Sequence, residues 1–183
     1  MFFDSISRKL SPNSAASTGL RLAAVAMIIR DKDSPSVLLI KRAERKGDPW
    51  SGQVAFPGGK MQEGDASARA TAVRETFEEV GIDLERTADF LGYAEPTVTH
   101  TGTMEVVPAA FLLRDEVRVK PNEEVASHRW IKLEEMLSPR SRSVYRLSRE
   151  GVDVSMPAYS VEDYVVWGLT YRIVSMLAGS PGA

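Results

Sequence analysis

The chain has 183 residues, 43% of them hydrophobic, with a formal net charge of −2 and a pI near 5.8. This supports a substantial core and one domain with short tails, and it argues against polymeric nucleic acid as the main partner, which favours a basic face. With no cysteine there is no disulfide, no thiolate nucleophile and no zinc–thiolate site.

Along the chain, residues 1–10 predict a short helix with Phe2, Phe3, Ile6 and Leu10 on its apolar side, and Ser11 to Gly19 a flexible connector. Residues 20–178 form the expected main domain, with 179–183 as a tail. Leu22 to Ile29 reads as a strand buried on both faces, paired as a hairpin with Val37 to Ile40. Lys46 to Gly52 is loop, and Gln53 to Phe56 a short strand. Phe90 to Ala94 and Met104 to Leu113 read as strands, with Pro108 marking a bulge or an edge. Ser127 to Ile131 is another strand, followed by a short helix from Lys132 to Leu137. Val154 to Tyr159 reads as a small strand, and Asp163 to Leu177 as an amphipathic helix with Trp167 in its core face. This mixture predicts an α/β protein, a mixed sheet flanked by helices. No apolar run approaches the ~20 residues that span a bilayer, and Met1-Phe2-Phe3-Asp4 is too short and acidic for a secretory signal. A cytoplasmic protein without a membrane partner is expected.

The most densely specified stretch runs from Phe56 to Ile82. Asp65 as N-cap and Gly81 as a left-handed residue past the end delimit a helix. Ala66, Ala70, Val73, Phe77 and Val80 recur at helical spacing as one apolar stripe, with Glu75, Glu78 and Glu79 in a fan on the opposite side. Like charges at that spacing repel by about 0.2–0.5 kcal/mol per pair. They also lie in the last turns, where the helix dipole disfavours anions. A hard divalent cation, which prefers carboxylate oxygens, would offset both penalties. A solvated acidic face with Arg74 reaching Glu78 is the alternative.

This segment resembles the signature box of the Nudix hydrolases. Gly59, Arg74, Glu75, Glu78, Glu79, Gly81 and Ile82 fill its main positions. Asp65 stands at the first acidic position in place of Glu, the gap from it to Arg74 is one residue longer than the commonest spacing, and Thr76 replaces an aliphatic residue. The longer gap with an Asp resembles the coenzyme A pyrophosphatase branch. Upstream, Leu38 to Ala43 and Gly52 to Gly59 partly match that branch's coenzyme A signature. Ile40 replaces its Thr, Gly47-Asp48 stand where its spacer Arg is usual, and the segment is one residue longer. Trp167-Gly168-Leu169-Thr170 is also similar to this branch.

The resemblance implies a Nudix-type α/β/α sandwich and magnesium, with manganese as a substitute. It implies Glu75 and Glu79 as primary metal ligands, Glu78 as a further ligand or supporting acid, and the Gly59 carbonyl as an extra ligand. Gly58 lets backbone approach the site, and Arg74 orients a glutamate. For the general base, a box glutamate (Glu78 or Glu79), Glu123 or Glu124, and His100 stay open. His128 reads as structural. Arg42 is the expected phosphate contact, with Arg45 or Lys46 as substitutes for the missing Arg and Trp50 as a stacking surface. Implied substrates are small nucleoside diphosphate derivatives: coenzyme A and its thioesters first, then ADP-ribose and dinucleotides, then oxidised or ordinary nucleoside triphosphates. The protein would be a monomer or homodimer. A non-catalytic Nudix-fold regulatory domain would not need the clustered carboxylates, and a Nudix-fold isomerase would need a cysteine.

Overall fold

The computed structural model describes residues 6–14, 19–32, 34–48, 50–149 and 152–178. Strand β1 (Arg21–Asp31) runs through the centre of a mixed sheet. One edge of β1 pairs in parallel with β7 (Met104–Leu113). The other edge is shared. Its first half pairs with β4 (Gly58–Lys60) and its last residues with β2 (Pro35–Arg42), both antiparallel. β2 then carries β3 (Val54–Ala55) and β8 (Val125–Lys132), while β7 carries β5 (Ala88–Tyr93) and β6 (Thr97–Val98). Between these two pairings the Ala26 N–H donates to the Pro57 carbonyl at 2.8 Å, just before β4.

The apolar runs of β1 and β2 are explained by burial on both faces. Met27, Ile29, Val37 and Leu39 point into one core, and Ala24, Ala26, Ile28, Leu38 and Ile40 into the other. Helices α1 (Ala68–Val80) and α2 (Leu84–Thr87) cover the second face. The first face is covered by α3 (Leu133–Met136), α4 (Gly168–Ala178) and a three-stranded antiparallel sheet of β9 (Arg142–Arg149), β10 (Val152–Val161) and β11 (Tyr164–Trp167). The expected α/β/α sandwich with a mixed sheet is present.

Several expectations change. The segment read as a helix from Asp163 begins instead with β11, which folds back on β10 through Glu162 (φ 51°) and Asp163, and the helix starts only at Gly168. The β-branched pair Val165-Val166 and Trp167 favour a strand there. Trp167 is therefore a strand residue. Pro108 lies on an interior strand, not an edge. Its carbonyl accepts the Ala94 N–H at 2.9 Å in the break between β5 and β6, so its missing N–H falls where no ladder bond is needed. Ser11, expected in a flexible connector, exchanges two backbone hydrogen bonds with Tyr93 at 2.8 and 2.7 Å. Ile6 is fully buried, while Phe2, Phe3 and the tail from residue 179 lie outside the described residues. No helix among the described residues is long and apolar enough to cross a membrane.

Candidate active site

Helix α1 is capped by Ser67, whose hydroxyl accepts the Ala70 N–H at 3.1 Å, and not by Asp65. It ends as expected at Gly81 (φ 67°, ψ 20°), whose N–H donates to the Phe77 carbonyl. Its buried face also differs from the expected stripe. Ala68, Thr71, Ala72, Thr76, Glu79 and Val80 are buried, whereas Ala66 is exposed and Phe77 is 59% exposed. Small side chains let the helix lie close on β1, which a stripe containing Phe77 would not. Glu79 is therefore not on a face opposite the core; it is driven into the protein.

Glu79 is 2% exposed. Its Oε2 accepts the Gly58 N–H at 2.9 Å, and its Oε1 lies 3.9 Å from Arg42 Nη1. Burial pushes its carboxyl up to about 7, opposed by the Gly58 N–H and Arg42. Glu75 is half-buried and raised for the same first reason. Gly58 and Gly59 make these placements possible. A Cβ on Gly58 would stand 2.3 Å from the Ala24 carbonyl oxygen, and one on Gly59 would stand 2.5 Å from the Glu75 carboxylate.

Arg74 gathers the acidic groups. It forks onto Asp65 (Nε–Oδ1 3.1 Å, Nη2–Oδ2 2.9 Å), and Nη1 reaches Glu75 at 2.9 Å and Glu78 at 3.3 Å. The Lys60 carbonyl takes a further bond at 3.1 Å. Asp65 also accepts from the Gln62 N–H and the Thr71 hydroxyl, and the Arg74 fork first of all holds its carboxyl well below the usual carboxylate range. Asp65 is thus the anchor of Arg74. Glu78 has its side chain 53% exposed. Among the described residues no three acidic or histidine side chains already converge at ligand distance.

The loop before β8 is stapled to the end of α1. The Lys120 N–H donates to the Val80 carbonyl and the Asn122 N–H to the Glu79 carbonyl, at 2.8 and 2.9 Å. This brings Glu124 near enough for its charge to raise both Glu75 and Glu79. Arg45 holds Glu124 at 2.9 Å, with Glu123 at 3.7 Å. Arg42 bridges from Glu79 to Asp48, which it meets at 3.0 Å; its buried Nε has no partner among the described residues. Lys46 and Trp50 are both exposed, Trp50 at 38%. His100 sits exposed in a turn and His128 within β8. Asp48 as the partner of Arg42 was missed in the sequence. Its one local signal is a turn, in which the Trp50 N–H donates to Oδ1 at 3.0 Å.

The donor types suit a hard divalent cation: Glu75 and Glu79 are desolvated carboxylates, the charges of Glu78 and Glu124 bear on Glu75 and that of Glu124 on Glu79, and the Gly58-Gly59 backbone lies against both. Comparison with known proteins shows the family of the chain. The NUDIX domain model matches residues 20–148. A protein named uncharacterized Nudix hydrolase NudL from Photorhabdus laumondii is 35% identical over 168 residues, covering 91% of this chain and 88% of that one. The NudL protein of Yersinia pestis is 36% identical over 159 residues, covering 86% and 78%. Among solved structures, a MutT/nudix family protein from Enterococcus faecalis superposes with a TM-score of 0.54 at 21% identity, covering 88% of this chain and 62% of that one. A C. elegans Ap4A hydrolase does so at 0.52 and 23%, covering 61% and 80%. Both show the fold. The chain belongs to the NUDIX family. It is an enzyme of that family, a Nudix hydrolase acting on phosphoric anhydrides.

Proposed function

We propose that this hydrolase cleaves the pyrophosphate bond of a nucleoside diphosphate linked to another moiety, with magnesium as cofactor and coenzyme A or its derivatives first among its substrates. The observation that carries this is the buried Glu79 beside the half-buried Glu75 against Gly58 and Gly59 of β4. Desolvated carboxylates of this kind are costly unless a cation shares the site. Glu75 and Glu79, with Glu78 and the Gly59 carbonyl, would hold the metal. When bound, it supplies a polarised water and neutralises charge on the phosphoryl oxygens.

The chain's own groups do the rest. Arg74, anchored by Asp65, orients Glu75 and Glu78. Glu124, steadied by Arg45, takes the proton from the attacking water. Arg42 reaches a substrate phosphate from the end of β2, its geometry set by Asp48. Preference for coenzyme A follows the branch resemblance of the box and of Leu38 to Ala43. The Arg42–Asp48 pair predicts weak dependence on the adenosine 3′-phosphate, because Asp48 stands where the branch usually has a second cation.

The test is a magnesium-supplemented panel of coenzyme A, dephospho-coenzyme A, ADP-ribose, dinucleotides and nucleoside triphosphates, read by product mass. Two phosphate-ended products, with coenzyme A and its dephospho form cleaved at similar rates, are expected. Turnover that survives exhaustive chelation would overturn the metal role.

A further inference from the structure

We propose that a second groove, on the sheet face away from the glutamates, binds the nucleoside phosphate end of the substrate by stacking its base against an aromatic wall. The groove encloses about 460 Å³ and is lined by Lys41, Gln53, Tyr145, Leu147, Val165 and Trp167. That volume suits a nucleoside-sized ligand. Tyr145 from β9 and Trp167 from β11 form its wall, their rings stacked 4.1 Å apart at 9°. Both are only half-buried.

The Trp167-Gly168-Leu169-Thr170 stretch builds this wall. Trp167 closes β11, and Gly168 (φ 61°) turns the chain into α4. The Thr170 hydroxyl then ties the helix to the Val54 carbonyl of β3 at 3.1 Å. Val54 also lines the groove.

Lys41 supplies the charge. It continues the row of Val37 and Leu39, whereas its neighbour Arg42 continues that of Leu38 and Ile40. Consecutive residues of β2 thus deliver one cation to the aromatic groove and one to Glu79. Among the described residues Lys41 has no carboxylate partner, and Asp163, which also lines the groove, is already tied to Arg129 at 2.8 Å. The two sites are joined through one loop residue: Gln53 lines the groove while its carbonyl accepts the Arg42 N–H at 2.9 Å. An aromatic face with a free ammonium at its edge recognises a stacked base and a neighbouring phosphate.

This deepens the proposed function and rests on it for the identity of the substrate, so the test reads binding without hydrolysis. ADP is titrated calorimetrically into metal-free protein. Trp167→Ala and Lys41→Met are each expected to weaken it about tenfold, the scale of one stacked base or one charged contact, and Trp167→Phe to recover most of that. Ribose 5-phosphate, which has no base, should be insensitive to Trp167→Ala. Adenosine, which has no phosphate, should be insensitive to Lys41→Met. Melting temperature reports folding, and Lys41→Met on the strand end stands if Trp167→Ala does not fold. Unchanged ADP affinity in folded Trp167→Ala and Lys41→Met overturns the groove, even where pyrophosphate hydrolysis is found. The expected affinity losses without any pyrophosphate hydrolysis uphold the groove and overturn the function proposed above.

Discussion

Gly59 and Glu75 occupy space that only one of them can have with a larger neighbour: a Cβ on Gly59 would lie 2.5 Å from both the Cδ and the Oε1 of Glu75. The glycine lies in β4 opposite Ala24, and its backbone conformation is open to other residues. The constraint is therefore the carboxylate and not the backbone conformation. Gly59→Ala should displace Glu75 and lower kcat about 100-fold, the scale of one lost transition-state contact, while the melting temperature falls little. Steady-state kinetics beside thermal unfolding check this. Normal turnover with alanine would mean Glu75 is dispensable.

Glu79→Gln keeps the shape of the side chain and removes its charge. Turnover should fall at least ~100-fold, Glu75→Gln should be comparable, and the more exposed Glu78→Gln milder. The metal-free Glu79→Gln protein should also be more stable than wild type near pH 8, because a buried carboxylate no longer has to ionise. Near-normal rates for both Glu75→Gln and Glu79→Gln would place the chemistry elsewhere.

Asp65→Asn removes the anchor of Arg74. The folded-state carboxyl is held below its unfolded value, so its contribution is present above about pH 4 and lost as the pH falls through its folded value. The variant should lose about 1–3 kcal/mol at neutral pH, the cost of breaking a largely buried charged pair, and progressively less in acid. Urea unfolding at several pH values measures this. A flat difference would show that the pair is not what stabilises the loop.

The buried glutamates reverse that sign. Glu79 titrates at about 7 in the fold against an ordinary 4.5, so the folded protein binds more protons between those values. Metal-free stability should fall as the pH rises across that window, by on the order of 3 kcal/mol for this one group. The proposed magnesium would bind the ionised form, so the rise in melting temperature on adding it should grow from pH 5 to pH 8. A magnesium effect independent of pH would contradict binding at Glu79.

The sequence was most readable where one physical demand dominated. Strands β1, β2 and β7 carry long apolar runs, Leu22 to Ile29, Val37 to Ile40 and Val106 to Leu113, because both of their faces are buried. Gly81 marks the end of α1 because a left-handed residue is needed there. The start was ambiguous, since Asp65 and Ser67 are both good cap formers and only the third dimension assigns Asp65 to Arg74. The buried face of α1 follows side-chain size more than hydrophobicity, so Phe77 does not mark it. β9 carried a usable signal that went unread: half-buried Tyr145 and Leu147 alternate with exposed Arg146 and Ser148. The Arg42–Asp48 contact had no signal beyond the turn that Asp48 starts.

The parallel pairing of β1 with β7 has a consequence for how the enzyme comes into being. Nine residues of β1, Arg21 to Ile29, meet partners about 80 positions later, and the loop so closed contains β4, α1 and every glutamate of the box. The entropy of closing it must be met before the reward of pairing arrives. A ribosome that has released only the box has therefore made no catalyst, because the Gly58-Gly59 strand docks on a β1 whose other edge is still bare. Assembly of the carboxylates becomes a late, all-or-none event. In pulse-labelled hydrogen exchange, the amides of Gly58 and Ala26 should gain protection together with those of β7, in one kinetic phase.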